Sequence, residues 1–354
     1  MGTVYSDLKM FHYKDKLDSL PRCEAITSPI YIRWKPTNRC NHGCSYCAYR
    51  SDNLQLGKNM SEKDETPKEK MLETAKCLVD MGVKAVTFSG GGEPLLHPDL
   101  LETAGILHDG GIKLACLTNG AMLKGEIAEF FSTNATWVRV SMDGWNDESY
   151  TRYRHVKDGE YTRIMQNMKD FVGMGGKCVL GVSLIVNAEN SVYVYDALER
   201  LKDIGVHSVK VSVCIVSNDA AENNAYHAPH FDLVAEQVSR AFKSLADETF
   251  EIVDAWHTMD ELFENNYDWC PFSQVLAVIA ADLGVYPCQD KAYNDKARLG
   301  SLKNQSFKEF WETGKDAFFR LNPSNDCKHH CVASKKNKMI LSYLDIDREH
   351  LEFV

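Results

Sequence analysis

Strand-like and helix-like segments alternate along the first two thirds of the chain, and this alternation restricts the possible folds more than any other feature. Six segments are rich in β-branched and aromatic residues and end near Gly, Asn, Asp or Ser. They span residues 31–35, 85–89, 113–118, 137–142, 178–186 and 209–216. The five intervening segments repeat apolar residues at helical spacing: 66–82, 98–111, 125–132, 161–176 and 191–205. Such alternation predicts βαβ units with parallel strands.

The fold class follows from the number of these units. A closed eightfold barrel needs two more repeats than the six present, and the pattern stops near residue 216. We therefore predict an α/β fold with a partial (β/α)6 TIM-like barrel and a small C-terminal domain. An open doubly wound sheet is the alternative. Both architectures bind ligands at the carboxyl ends of the strands.

Composition shifts predict the domain limits. The polar stretch at 217–230 is the best boundary candidate. We expect an N-terminal extension at 1–29, the barrel at 30–216, a linker and helix at 217–264, and the C-terminal domain at 265–354.

Charge and hydropathy exclude several classes of partner. The net charge of −10 gives the chain no bulk attraction to nucleic acid or to an anionic membrane. No apolar run approaches the ~18 residues of a membrane span, and the first twenty residues lack the apolar core of a secretory signal. We expect a cytoplasmic protein. Its 12 cysteines then indicate metal binding or catalysis rather than disulfides.

Three cysteines follow the first predicted strand at C-x3-C-x2-C spacing: Cys40, Cys44 and Cys47. A tetrahedral zinc site would need a fourth ligand, for which His42 is the local candidate. Three thiolates also suit a four-iron, four-sulfur cluster with one iron left open. Such an iron can bind a ligand that is not part of the protein.

This loop resembles that of the radical S-adenosylmethionine (SAM) superfamily, which carries an aromatic residue, here Tyr46, before the last cysteine. The resemblance covers about residues 30–215, and further motifs close the successive strands. They are FSGGGEP at 88–94, with Gly91, Gly92 and Glu93; LTNG at 117–120, with Asn119; VSMDG at 140–144, with Ser141 and Asp143; Arg154 in TRYRH; and Asn187 after the fifth strand.

The resemblance assigns roles to these residues. The glycines let the backbone approach the methionine part of SAM, and Glu93 receives its ammonium group. Ser141 and Asp143 contact the ribose, Arg154 faces the SAM carboxylate with Arg152 as the alternate, and Asn187 lies near the adenine.

The resemblance also implies the cofactors and their chemistry. SAM chelates the open iron of a [4Fe–4S] cluster, and one electron, from a donor such as flavodoxin or ferredoxin, cleaves it. The resulting 5′-deoxyadenosyl radical takes a hydrogen atom from a substrate C–H bond.

Four late cysteines form a second group at C-x17-C-x38-C-x3-C spacing: Cys270, Cys288, Cys327 and Cys331. A zinc staple or unconnected core cysteines are the alternatives. The segment resembles the SPASM or twitch extension of radical SAM enzymes, in which a β-hairpin presents ligands to an auxiliary [4Fe–4S] cluster. The full SPASM pattern has seven cysteines, so the shorter twitch version and one auxiliary cluster fit better. We expect His329 and His330 to be solvated loop residues.

A fully coordinated cluster indicates electron transfer, which favours a two-electron oxidation of the substrate. Such a path needs a base. Asp290 is the first candidate, and Tyr286, Lys291 and Asp143 are the others.

The substrate is open to three interpretations. The twitch layout resembles dehydrogenases of small hydroxylated metabolites such as sugars or aminocyclitols. About thirty residues precede the first strand, which is short for the leader-binding domain of many peptide maturases. A peptide-modifying maturase and a redox-neutral rearrangement or epimerisation are the alternatives. An iron–sulfur carrier or redox sensor would not need the SAM motifs.

Overall fold

A single mixed sheet of ten strands organises the chain. The computed structural model describes residues 6–21, 27–52, 54, 56–258 and 260–353. The strands are β1 (Tyr31–Trp34), β2 (Ala85–Phe88), β3 (Lys113–Thr118), β4 (Ala135–Met142), β5 (Val179–Val186), β6 (Ser208–Val213), β7 (Glu251–Ala255), β8 (Leu276–Ile279), β9 (Gly284–Tyr286) and β10 (Gly300–Ser301). Their order in the sheet is β10-β9-β8-β1-β2-β3-β4-β5-β6-β7.

The parallel strands β1 to β7 form the predicted partial barrel, because the sheet curves without closing. Helices connect them on the outside. The α-helices are α1 (Lys14–Ser19), α2 (Lys68–Asp80), α3 (Leu100–Asp109), α4 (Gly125–Asn134), α5 (Asp147–Arg154), α6 (Glu160–Gly173), α7 (Val194–Asp203), α8 (Ala220–His227), α9 (Phe231–Ser244), α10 (Asp260–Phe263), α11 (Phe307–Thr313), α12 (Lys315–Phe319), α13 (Pro323–Asp326) and α14 (Ser334–Leu344).

Strand β7 was not predicted. It pairs with β6 in parallel, within the segment expected to be a linker and a helix. Its sequence, EIVDA, carries two acids in five residues and therefore lacks the apolar signal of the other strands.

The C-terminal segment shares the same sheet. Strand β8 pairs in parallel with β1 on the side opposite β2. Strand β9 returns antiparallel to β8, which forms the predicted hairpin, and β10 pairs with β9. The hairpin therefore returns the chain toward the start of β1, so that the residues that follow β9 come near those that precede β8.

Side chains alternate between two different environments along each parallel strand. On the outer face, residues such as Ile32 and Trp34 are fully buried against α2 and α3 in the main hydrophobic core. On the inner face, residues such as Ser141, Ser183 and Lys210 stay partly exposed. We call the space bounded by the inner faces of β1 to β8 the lumen.

A second apolar cluster joins the two ends of the described chain. Met10 and Leu17 pack with Val275 before β8 and Ile340 on α14. Among the described residues, no helix is both long and apolar enough to cross a membrane.

Candidate functional site

The loop with Cys40, Cys44 and Cys47 follows β1 at the carboxyl edge of the sheet, and all three thiols are free and half-buried. Helix α5 holds this loop through its backbone. The amide of Gly43 donates to the carbonyl of Arg154 at 2.8 Å, and the amide of Ser45 donates to that of Tyr153 at 2.9 Å. Burial raises the pKa of Cys40 to about 11 and also raises the pKa of Cys44.

The glycine-rich loop after β2 packs directly on the start of the cysteine loop. A Cβ on Gly92 would lie 2.1 Å from the carbonyl oxygen of Arg39, and one on Gly91 would lie 2.5 Å from Oδ1 of Asn38. The amide of Glu93 donates to the same Arg39 carbonyl at 2.8 Å. Glycine is therefore required here because any side chain would push the two loops apart.

Glu93 is 3% exposed and lies where β2 and β3 end. Its carboxylate accepts hydrogen bonds from Oγ1 of Thr118 at 2.6 Å, the amide of Asn119 at 2.7 Å and the amide of Leu95 at 3.2 Å. Burial raises the pKa of Glu93 to about 7, although these three bonds favour the carboxylate. Asn119 in turn donates to Oδ1 of Asn41 at 2.7 Å, which joins β3 to the cysteine loop.

Asp143 and Arg154 form a buried ion pair at the end of β4. Nε of Arg154 lies 2.9 Å from Oδ1 of Asp143, and the side chains are 3% and 1% exposed respectively. A terminal nitrogen of Arg154 also donates to the carbonyl of Ser141 at 3.0 Å. The guanidinium lies 5.7 Å from the ring centre of Tyr46, whose hydroxyl is buried.

Asn187 ends β5 and orders the loop that follows. Its Oδ1 accepts from the hydroxyl of Tyr153 at 3.2 Å and from the amides of Glu189 and Asn190. Nδ2 of Asn190 donates to the carbonyl of Asp143 at 2.8 Å. The predicted SAM contacts therefore lie in one hydrogen-bonded edge that connects the ends of β1 to β5.

His42 is buried and directed at Glu160, with Nε2 3.3 Å from its carboxylate. Burial lowers the pKa of His42 to about 4. This contact gives the imidazole a partner on α6.

The second group of cysteines comes together from three separate segments. Cys270, Cys327 and Cys331 are buried, and Cys288 is half-buried just after β9. Burial first, and then the charges of Asp290, Cys331, Cys270 and Cys327, raise the pKa of Cys288, so these groups are neighbours. Nδ2 of Asn337 donates to the sulfur of Cys270 at 3.2 Å, a type of contact that tunes cluster potentials.

The donor sets have the chemistry of iron–sulfur ligands. In a four-iron cluster each cysteine binds a different iron. Three free thiols at the first site and four at the second match the ligand numbers of an open and a closed cluster.

Lys35 lies between the two cysteine groups. It is 1% exposed, and its ammonium donates to the hydroxyl of Tyr49 at 2.5 Å and to the carbonyl of Gly90 at 2.8 Å. Burial lowers the pKa of Lys35 well below its usual range, against the opposing charges of Asp290, Cys47 and Cys288. One buried side chain is thus within electrostatic reach of both groups.

Residues 34–191 match the family model of the radical SAM superfamily. The chain contains a radical SAM domain. Its cofactors are accordingly SAM and a [4Fe–4S] cluster, and the matched segment contains the C-x3-C-x2-C loop and the motifs at the ends of β2 to β5.

Known relatives extend the similarity to most of the enzyme. The AdoMet-dependent heme synthase of Methanosarcina barkeri is 22% identical over 88% of this chain and 90% of its own length. Other curated relatives, such as GTP 3′,8-cyclases, are matched over about half of their length, 55% and 54% in two cases.

Two solved structures share the fold across about nine tenths of the chain. Streptococcus suis SuiB bound to precursor peptide SuiA superposes with a TM-score of 0.64 at 14% identity, over 90% of this chain and 72% of SuiB. A tagged form of anSMEcpe with bound AdoMet gives 0.61 at 17% identity, over 89% and 96% respectively. These likenesses show that most of the chain shares their fold.

The histidines of the second cysteine group are less exposed than predicted. The prediction that both are solvated is wrong for His329, which is 3% exposed, and His330 is half-buried. Asp290 is also buried, at 5% exposure, and burial raises its pKa to about 6. Among the other base candidates, the hydroxyl of Tyr286 donates to Asp282 at 2.7 Å and the ammonium of Lys291 donates to the carbonyl of Asp326.

Sequence analysis missed Lys35 and Tyr49 of the radical SAM enzyme. A signal was present, because Arg33 and Lys35 alternate with Ile32 and Trp34 in the first strand. Charged residues at period 2 on a buried strand indicate an inner face that is not an apolar core.

Proposed function

We propose that this radical SAM enzyme is an oxidoreductase that removes two electrons from a small metabolite bound in the lumen between two clusters. The observation that carries the proposal is the position of Lys35, which is buried at the end of β1 and whose amide donates to the carbonyl of Ile279 on β8 at 2.8 Å, so that it joins the strand before the first cysteine group to the hairpin that carries Cys288. Two redox sites on either side of one buried residue are suited to oxidation of a substrate between them.

The first site would hold SAM through the edge that joins β1 to β5. Bound there with its cluster, SAM supplies a radical that removes a hydrogen atom from a C–H bond. Glu93 would receive the ammonium group of SAM, and Gly91 and Gly92 keep the cysteine loop at the distance that this requires. Asp143 and Ser141 would contact the ribose, with Asp143 held in place by Arg154. Asn187 orders the loop near the adenine.

The second site would accept an electron. Cys270, Cys288, Cys327 and Cys331 would bind an auxiliary [4Fe–4S] cluster in a twitch-like domain. Such a cluster would supply an acceptor for one electron from the substrate after loss of a hydrogen atom, and a base would take the accompanying proton. Asp290 is the proposed base, because it is buried two residues after Cys288 and lies within electrostatic reach of Arg33 and Lys35. A reductant such as flavodoxin or ferredoxin would supply the electron that cleaves SAM.

The substrate is proposed to be a small hydroxylated metabolite, such as a sugar or aminocyclitol. The heme synthase, which the chain matches along most of both lengths, makes a small cofactor and so supports a metabolite rather than a peptide. A peptide-modifying maturase is the second candidate, since SuiB binds a precursor peptide and shares the fold. The described cysteines are free thiols, which suits a cytoplasmic enzyme.

Cys44→Ala tests the first site. Loss of one of three thiolates should abolish formation of 5′-deoxyadenosine from SAM under dithionite, measured anaerobically by chromatography. Cys77→Ala is the matched control, because that thiol is half-buried on α2 and belongs to neither group. Undiminished 5′-deoxyadenosine from Cys44→Ala, with normal product from the control, would refute the assignment.

A further inference from the structure

Three cationic side chains from different strands face the lumen. Arg33 lies on β1, Arg139 on β4 and Lys210 on β6, each at an inner-face position. Their neighbours on either side in sequence, such as Val138 and Val140, are fully buried on the outer face. None of the three belongs to the motifs assigned to SAM or to the cysteine groups.

These cations are close enough to repel one another. Burial lowers the pKa of Lys210, and the positive charges of Arg139, Lys336 and Arg33 lower it further. No hydrogen bond or ion pair holds the ammonium of Lys210 or the guanidinium of Arg33 within the residues that the structure describes. Nε of Arg33 is buried without a partner.

Acidic residues also act on this group. Glu251 acts on Arg139 from an exposed position at the start of β7, and Asp290 lies near Arg33 beside the second cysteine group. Lys336 is paired with Asp7 at 2.9 Å. Among the described residues, the charges that act on Lys210 are all positive.

Small residues and larger ones share the inner face with the cations. The small ones are Thr87 on β2, Ala115 on β3, Gly181 and Ser183 on β5, and Ser208 and Ser212 on β6. Among the larger ones are Leu117 and Trp137, whose ring centre lies 5.3 Å from the guanidinium of Arg139. Ser183, Ser212 and Lys210 keep partial access to solvent, whereas the outer face of the same strands is buried.

We propose that the substrate of this enzyme carries at least two anionic oxygen groups, carboxylates or phosphates, which Arg33, Arg139 and Lys210 bind in the lumen. The proposal rests on the proposed function, because it assigns the lumen to the substrate. Guanidinium groups bind both kinds of oxyanion in bidentate fashion, and the lysine adds a point charge. Fixing the anionic groups on three strands would hold one C–H bond in a constant position between the cysteine groups.

Calorimetric titration of the SAM-bound, oxidised holoenzyme tests this assignment. The probes are fructose 1,6-bisphosphate for phosphates, tricarballylate for carboxylates, and fructose as the neutral control. We expect one of the two anions to bind with 1:1 stoichiometry, and the tighter one identifies the oxyanion. Fructose should bind at least tenfold more weakly.

Variants locate the binding. Lys210→Gln and Arg33→Gln should each weaken the anion about ten- to hundredfold, as expected for loss of one charged hydrogen bond. The control variant Lys177→Gln, at an exposed position, should change the affinity for the anion by less than about twofold. Unchanged affinity in both lumen variants, or equal binding of fructose and both anions, would overturn the proposal.

Two further measurements keep the outcome interpretable. Removing a cation from a repelling group should not unfold the enzyme, so Lys210→Gln should melt at or above the wild-type temperature without ligand. The tighter anion should raise the melting temperature of the wild type more than that of the variant. Formation of 5′-deoxyadenosine by the wild type is measured independently of anion binding. If none forms, the proposed function is wrong, but the affinity for the anions still tests the binding site in the lumen.

Discussion

The buried ion pair of Asp143 and Arg154 is expected to stabilise the fold and also lies at the edge of the sheet that is proposed to bind SAM. Because both side chains are at most 3% exposed, neither charge has water to solvate it if the other is lost. Asp143→Ala should therefore cost about 3–5 kcal/mol of unfolding free energy. Urea denaturation of the loaded enzyme, followed by circular dichroism, measures this loss.

An exposed pair in the same region supplies the control. Arg152 and Glu189 lie 2.7 Å apart with more than half of each side chain exposed, at 55% and 58%. Glu189→Ala should change the unfolding free energy by less than about 1 kcal/mol. Similar losses from both variants would mean that the burial of Asp143 and Arg154 does not determine their contribution.

Single residues differed in how well the sequence predicted their surroundings. The spacing of Cys40, Cys44 and Cys47 is local, so it could be recognised without knowledge of the fold. Lys35 and Asp290 become neighbours only because β8 pairs with β1, which no local pattern encodes. His329 was predicted to be solvated because polar loops usually are, whereas here its loop packs against the body of the enzyme.

At the level of elements, two glycines of α3 should respond in opposite ways to the same substitution. A Cβ on Gly105 would meet nothing within 4 Å, so Gly105→Ala should stabilise the enzyme by about 0.5–1 kcal/mol through helix propensity. A Cβ on Gly110, at the end of the helix, would lie 2.3 Å from Cγ2 of Val79 on α2. Gly110→Ala should therefore destabilise, because α2 and α3 pack closely there.

Thermal melting of both variants decides the comparison. The wild-type melting temperature should fall between the two. Equal shifts of the melting temperature in the same direction would show that α2 and α3 can move apart at Gly110 without loss of stability, contrary to the packing described.

Elements were predicted well wherever periodicity was strong. The segment 113–118, a short apolar run followed by Asn and Gly, is β3 with the predicted limits. Strand β7 was missed because Glu251 and Asp254 interrupt its apolar character, and its place is fixed by pairing with β6. Tertiary contacts therefore decided the element that local preference left undefined.

For the molecule as a whole, the two cysteine groups depend on different structural supports. The first loop is held by α5 and by the glycine-rich loop, whereas the second group is assembled from the hairpin, the segment around Cys270 and the loop before α14. Lys35 and Tyr49 are each near Cys47 of the first group and Cys288 of the second. The two sites should therefore load iron independently, even though they share one sheet.

Iron analysis of anaerobically reconstituted protein tests this independence. The wild type should bind about eight irons, and Cys44→Ala and Cys270→Ala should each retain about four, since each cluster contains four. Cys77→Ala should match the wild type. A wild type that saturates at about four irons would remove the auxiliary cluster, and complete loss of iron in either single variant would mean that one site supports the other. If both Cys44→Ala and Cys270→Ala retain about four irons, each cysteine group loads its cluster without the other. Any coupling between the two clusters would then pass through the substrate and the residues around Lys35.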